Sequence, residues 1–169
     1  SEEGRLEFEA INLKFEISNL KSVITGGNTR AESVKRGLDS ISANDDDIVV
    51  IHDGARPLVS VDEINRTSEK AKETGAACLV ADVTDTIKEI DGKHILRTID
   101  RNNLRRALTP QAFRYDILRK AFEGADLSES ITDECYLVER LGVKIAIVEG
   151  SARNLKITRP EDIFLAEAI

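Results

Sequence analysis

Apolar runs alternate with amphipathic stretches along this chain, and the alternation predicts its elements. Ser22-Val23-Ile24-Thr25 reads as a short strand and Gly26-Gly27-Asn28 as a turn. A helix is predicted over residues 29–40, with Val34, Gly37, Leu38 and Ile41 on one face. Ile48-Val49-Val50-Ile51 is β-branched throughout, the pattern of a strand buried on both faces, as in a parallel sheet. Ser60-Val61-Asp62-Glu63 has the hydroxyl-to-glutamate spacing of a capping box, and the helix it opens can close at Gly75. Ala76-Ala77-Cys78-Leu79-Val80 follows as another buried strand. Strands and helices joined by short links predict βαβ units and a mostly parallel sheet covered on both faces.

The rhythm then changes. Thr86-Ile87-Lys88-Glu89-Ile90 and Lys93-His94-Ile95-Leu96-Arg97 flank Asp91-Gly92, a strong hairpin signal because both central residues need positive φ. A hairpin inserted in an α/β chain predicts a projecting arm over about residues 84–104. Its open edges need a partner, which predicts a homodimer. Further helices are predicted near residues 115–122, bounded by Gly124, and from Thr132, as N-cap, to before Gly142. Residues 143–148 read as a strand. Thr158-Arg159-Pro160-Glu161 reads as a second capping box opening a terminal helix. Leu6, Ala10, Leu13 and Ile17 keep helical spacing, although Leu-Glu-Phe-Glu also alternates like a strand; helix is the reading taken.

The chain has 169 residues, a length that predicts one domain spanning residues 1–169. With 41% hydrophobic and 33% charged residues, neither a disordered tail nor a membrane protein is expected. No apolar run approaches the roughly 20 residues of a membrane helix. The start lacks the pattern of a signal peptide, and Cys78 and Cys135 read as ordinary thiols, so the expected location is the cytoplasm. The net charge of −7, from 24 basic and 31 acidic residues, argues against a non-specific nucleic-acid binder. Aromatics at 4% and the lack of Trp argue against base-stacking platforms.

Ligands of open α/β sheets bind beyond the carboxyl ends of the strands, where four segments fall. Gly26-Gly27-Asn28-Thr29-Arg30 could let a ligand approach the backbone, or could be a plain tight turn; it is neither GxGxxG nor a P-loop. His52-Asp53-Gly54-Ala55-Arg56-Pro57 places a carboxylate where Mg²⁺ could sit with phosphates, beside a glycine that permits close approach. Asp53 could instead pair with Arg56 or cap a turn. Thr86, Arg101, Thr109 and Thr132 offer hydroxyls and a guanidinium suited to phosphate, although each could serve local structure, and Thr109-Pro110 could be only a turn. Lys156, in Asn154-Leu155-Lys156-Ile157-Thr158, is a cation in an apolar context or an edge-strand charge. No zinc-ligand spacing and no nucleophile elbow occur.

Taken in order, GGNTRAESV, VVIHDGARP, VTDTIK, TIDRNNL, LTPQAF, ITDE and VEGSARNLKITRPEDIFLAEA resemble the 2-C-methyl-D-erythritol 4-phosphate cytidylyltransferases of non-mevalonate isoprenoid synthesis. The match runs over residues 23–169. The resemblance implies a Rossmann-like nucleotide-diphospho-sugar transferase fold, a dimer through a protruding β-arm, and transfer of CMP from CTP to a polyol phosphate with Mg²⁺. It implies that Gly27, Asn28 and Ser33 line a cytosine pocket, that Asp53, with Gly54, lies by the metal and triphosphate, and that Arg56, Thr109, Thr132 and Lys156 face the substrates. It further implies that Thr86 and Arg101 reach the partner subunit's site, and that Arg101 and Lys156 position the incoming phosphate.

Two departures accompany the resemblance. The family's opening strand, glycine-rich loop with Arg and Lys, and helix are not found in residues 1–20, which leads us to expect an N-terminally incomplete domain. Asn28 stands where the family usually has Asp, and its amide oxygen can still accept from a cytosine amino group. The related ribitol-5-phosphate cytidylyltransferases share the fold and CTP site; HDGARP and ITDE favour the methylerythritol enzyme. A chain truly without the first lobe would be a non-catalytic nucleotide-binding module.

Overall fold

A computed structural model describes residues 4, 6–8, 19–127 and 131–169 of the chain. In chain order the elements are α1 (Arg30–Ser40), β1 (Ile48–Ile51), α2 (Val61–Thr74), β2 (Ala76–Asp82), β3 (Ile87–Asp91), β4 (His94–Ile99), β5 (Arg105–Arg114), α3 (Tyr115–Phe122), α4 (Glu134–Glu139), β6 (Ala146–Glu149) and α5 (Glu161–Ala168).

The main sheet is four-stranded, in the order β1-β5-β2-β6. β5 runs antiparallel to both β1 and β2, and only β2 and β6 pair in parallel. The sheet is therefore mixed, which corrects the expected mostly parallel arrangement. β1, β2 and β6 do share one direction, as βαβ units require. The strand that separates β1 from β2 is β5, which was not expected because Arg105-Arg106 and Thr109-Pro110 interrupt its apolar pattern. The Thr109–Pro110 peptide is cis and lies inside β5 rather than in a turn. At that point Cys78 faces Gln111 while Val80 faces Ala107, so two steps along β2 span four along β5. The bulge brings Thr109 and Gln111 to the carboxyl end of β1.

Both faces of β2 are covered, as its continuous apolar run demands. Ala71, Ala77, Leu79, Ala81, Leu108, Ala112 and Val148 form one core layer, to which α2 contributes Ala71. Leu38, Cys78, Val80, Phe113, Leu118, Phe122, Cys135 and Val138 form the other, with contributions from α1, α3 and α4. Leu79, Phe113, Leu118 and Val138 are fully buried, each worth about 1.5–3 kcal/mol relative to exposure. β1 differs from expectation. It is an edge strand with no ladder partner on its outer side among the described residues, and it is only half-buried.

Local signals explain most element ends. Thr29 caps α1 by accepting from Glu32 N. Ser60 and Glu63 form the predicted capping box, and Gly75 closes α2 with φ +87, where an added Cβ would also meet Ile117 Cδ1 at 2.8 Å. Four predictions shift. Asp133, not Thr132, caps α4, because its carboxylate accepts from Tyr136 N. Asp162, not Glu161, closes the second box by accepting from Thr158 N, Thr158 Oγ1 and Arg159 N. The hairpin pairs Asp91 with His94, so Gly92 and Lys93 form its turn; Gly92 takes φ +56. The last strand begins at Ala146 rather than at residue 143.

Residues 22–25 run as irregular chain rather than the predicted strand, and belong to neither sheet formed by the described residues. β3 and β4 make a separate two-stranded sheet, with Ile90, Ile95 and Leu96 exposed. At the start of the chain, Gly4 and residues 6–8 are helical, and most of the helix predicted there lies outside the described residues. No described helix is long and apolar enough to cross a membrane.

Candidate active site

β1 ends at Ile51 and the chain turns through Asp53 and Arg56, whose backbones close the turn by an Arg56 N to Asp53 O bond of 2.9 Å. Thr109 on the β5 bulge fixes this turn. Its Oγ1 accepts from Asp53 N at 3.1 Å and lies 3.0 Å from His52 Nδ1. The segment 154–158 is laid against the same turn by Ile157 N donating to Ala55 O at 2.8 Å. Asn154 is the peg of that segment: it is 1% exposed, its Nδ2 donates to Thr109 O, and its carbonyl accepts from Arg56 Nη1.

These contacts enclose a cleft of about 220 Å³ lined by Arg30, Asp53, Arg56, Thr109, Thr132, Asp133 and Lys156, among others. Asp53 is its centre. Oδ1 accepts from Arg30 Nε at 3.1 Å. Oδ2 lies 3.1 Å from Lys156 Nζ and 3.5 Å from Arg56 Nε, the latter an ion-pair contact too long and misaligned for a hydrogen bond. Burial alone pushes the Asp53 carboxyl up, but the bond from Lys156 and the charge of Arg30 outweigh it and hold the group below the usual carboxylate range.

Arg30 also reaches Glu134, by a two-bond fork of 2.6 Å and 3.0 Å. The Glu134 side chain is 0% exposed. Burial pushes its carboxyl up, and the Arg30 fork offsets only part of that. Arg30, though partly desolvated, is held more firmly charged by its two carboxylates. Because the guanidinium stays charged at any ordinary pH, acid opens this pair at Glu134. Gln111 completes the floor, donating to Asp133 Oδ2 and accepting from Cys135 N.

Asp53, Arg56, Thr109, Thr132 and Lys156, each named as a candidate above, line this one cleft. Lys156 sits in irregular chain, not on an edge strand. The other predicted residues lie elsewhere. Gly27 lies in the turn ahead of α1 and is tied to Ser33 in the first turn of that helix, Gly27 N donating to Ser33 Oγ at 2.9 Å. A Cβ on Gly27 would meet Glu32 Cβ at 2.3 Å, so the close return of the helix needs glycine. Asn28 is exposed beside it, and Gly54 is exposed next to Asp53 with open space around its Cα. Arg101 lines a second cleft of about 440 Å³ with Asp82, Thr84 and Arg105, and donates to Thr84 O; Thr86 is exposed at the start of the hairpin. Arg30, Glu134, Gln111 and Asn154 were not singled out for a role of their own, since side-chain contacts made between residues distant in sequence leave no local pattern.

Magnesium is tested by the same geometry. No group of three or more His, Cys, Asp or Glu side chains that could hold a metal occurs among the described residues. Asp53 is the carboxylate at the cleft centre, and cations face both its oxygens. A bare metal ion does not fit. A magnesium ion arriving with a triphosphate keeps several waters and takes phosphate oxygens, and so needs only one or two carboxylates.

The family model described as 2-C-methyl-D-erythritol 4-phosphate cytidylyltransferase matches residues 3–169. The protein of that description from Halalkalibacterium halodurans is 43% identical over 157 residues, covering 92% of this chain and 68% of its own length. A bifunctional IspD/IspF enzyme from Desulfotalea psychrophila is 43% identical over 161 residues, and there the chain spans 41% of the relative. Among solved structures, the cytidylyltransferase of Thermus thermophilus superposes with a TM-score of 0.78 at 36% identity, over 89% of this chain and 77% of that one. A 4-diphosphocytidyl-2C-methyl-D-erythritol synthase gives 0.82 at 32% identity, over 94% and 75%. A cleft built from Asp53, Arg56, Thr109 and Lys156, the ordered motifs around it and these matches lead to one conclusion: the chain belongs to the 2-C-methyl-D-erythritol 4-phosphate cytidylyltransferase family.

Proposed function

We propose that this chain, in its full-length protein, transfers CMP from CTP to 2-C-methyl-D-erythritol 4-phosphate. A phosphate oxygen of the polyol attacks the α-phosphorus of CTP, and the bond from that phosphorus to the β-bridging oxygen breaks. CDP-methylerythritol forms and pyrophosphate leaves. The observation that carries the reading is the Asp53–Arg56–Lys156 cluster, held by Thr109 and Asn154 at the carboxyl end of β1 in a chain of this family.

The protein has little covalent work to do in such a transfer. Two anionic groups must be brought together and held in line. Lys156, half-exposed at the cleft mouth, supplies a point charge where they meet, and Arg56 supplies a fork anchored by Asn154 O. Thr109 and Thr132 add hydroxyls. Gly27, Asn28 and Ser33 receive the cytosine through backbone and short polar groups. Asp53 would hold Mg²⁺ once the triphosphate is bound, and that ion would neutralise charge developing on the phosphates.

The hairpin supports a homodimer. Ile90, Ile95 and Leu96 are 60–65% exposed, and a lone two-stranded sheet is marginal in water. Arg101 and Thr86 at its base would then serve the partner's cleft. Pyrophosphate release by the full-length protein, measured with CTP and either methylerythritol phosphate or ribitol 5-phosphate, tests the proposal. Faster release with ribitol 5-phosphate would move the assignment to the related enzyme, and CTP binding without release would leave a binding module.

A further inference from the structure

Arg30 and Glu134 lie 104 positions apart, yet they form a two-bond ion pair whose carboxylate is 0% exposed. The two terminal nitrogens of Arg30 are taken by Glu134 and its Nε by Asp53 Oδ1. With its fork filled, Arg30 has no free bidentate edge to offer a phosphate. Lys156 is the opposite case. Its side chain is 40% exposed and its one ion-pair contact among the described residues is Asp53 Oδ2, at 3.1 Å. Charge is also balanced here, since Arg30, Arg56 and Lys156 share the site with Asp53, Asp133 and Glu134. A phosphate is therefore not drawn into a positive hole; it must exchange with a carboxylate already in place.

Burial decides which contact exchanges. Opening Arg30–Glu134 would strand an uncompensated charge with 0% exposure on Glu134. Opening Lys156–Asp53 releases a partly solvated pair of small worth. We infer that the Glu134–Arg30 pair is a positioning device: it pins Asp53 through Oδ1, so that Lys156 can leave Oδ2 for an incoming phosphate while the carboxylate stays aimed. Asp53 is then a placeholder anion for Lys156 in the ligand-free protein, and Arg30 and Glu134 touch no substrate. The inference rests on the proposed cytidylyl transfer and adds two residues to it.

The test uses the full-length protein and the double variant Arg30→Met/Glu134→Leu, which removes both charges and leaves neither buried alone. Three quantities are measured: the thermal midpoint, kcat with KM for each substrate, and the titration of the Asp53 carboxyl by ¹³C NMR, assigned by its loss in Asp53→Asn. The expected result is a midpoint near the parent's, kcat lower by about 100-fold, the scale of an ångström-sized misplacement, and Asp53 titrating at higher pH than in the parent. An unchanged kcat, an unchanged Asp53 titration, or a loss of activity no larger than the unfolded fraction would each overturn the inference. If the double variant does not fold, Glu134→Gln is read in the same way, with smaller changes of the same sign expected. A parent inactive with methylerythritol phosphate would strike at the proposed reaction, whereas the Asp53 titration would still judge the positioning pair.

Discussion

Replacing Asp53 by Asn keeps the size of the side chain and removes one charge from a group of three cations. The parent carboxylate is 14% exposed, with Arg30 Nε and Lys156 Nζ at 3.1 Å and Arg56 Nε at 3.5 Å. A unit pair about 4 Å apart at an effective dielectric of 20 is worth about 4 kcal/mol. The cations are 29%, 12% and 40% exposed, so solvent screens much of this. Removing one partner costs about 3–5 kcal/mol in a fully buried pair and at most about 1 in an exposed one. A site between those limits gives about 2–3 kcal/mol, or a loss of about 4–12 °C in Tm for a chain of this size.

The pH dependence separates charge from shape. The folded Asp53 carboxyl lies below its unfolded value of about 3.9, so its contribution is present above that pH and is lost as pH falls through the folded value. Urea denaturation of parent and Asp53→Asn between pH 7 and pH 3 should show a gap that is full at neutral pH and closes below about pH 4. A gap of the same size at both ends would refute the electrostatic account and leave a packing or hydrogen-bond defect in its place.

Thr109→Val strands the Asp53 N–H, and chemical denaturation should show a loss of about 1–3 kcal/mol. Ser60→Ala removes the hydroxyl half of the α2 capping box, for about 1 kcal/mol by the same assay, with the cleft unaffected. Gly27→Ala drives a Cβ into Glu32, so calorimetric CTP affinity should fall while turnover at saturating CTP holds. Lys156→Ala should lower kcat by about 30- to 1000-fold, equivalent to about 2–4 kcal/mol, with the CTP KM little changed in steady-state kinetics. Arg101→Lys should raise the KM for the polyol phosphate and lower kcat, because Lys cannot reproduce the two parallel bonds of a guanidinium.

Local chemistry made much of this fold legible. The box at Ser60 and Glu63, the left-handed Gly75 and the unbroken apolar run of β2 each depend on residues adjacent in sequence, so one sequence suffices to read them. β5 was hidden because its core residues, Leu108, Ala112 and Phe113, are split by Thr109-Pro110 and preceded by two arginines. Only tertiary pairing on both sides makes that segment a strand, and with it the sheet becomes mixed. β1 shows the converse, since its four β-branched residues read as central while the observed strand is an edge. In the cleft, Asp53 and Lys156 stood out by residue type and position, whereas Arg56 entered only as a pairing partner for Asp53 and, through the family resemblance, as a substrate contact. Arg30 and Glu134 did not stand out, because their significance lies in a pairing across the fold.

Cytidylyl transfer itself is tested most directly by following the phosphorus atoms. Full-length protein is incubated with methylerythritol phosphate and CTP labelled at either the α- or the γ-phosphorus. The account predicts α-label in CDP-methylerythritol and γ-label in pyrophosphate, one for one. Label from the γ-position in the polyol product, or α-label found only in CTP or CMP, would contradict it.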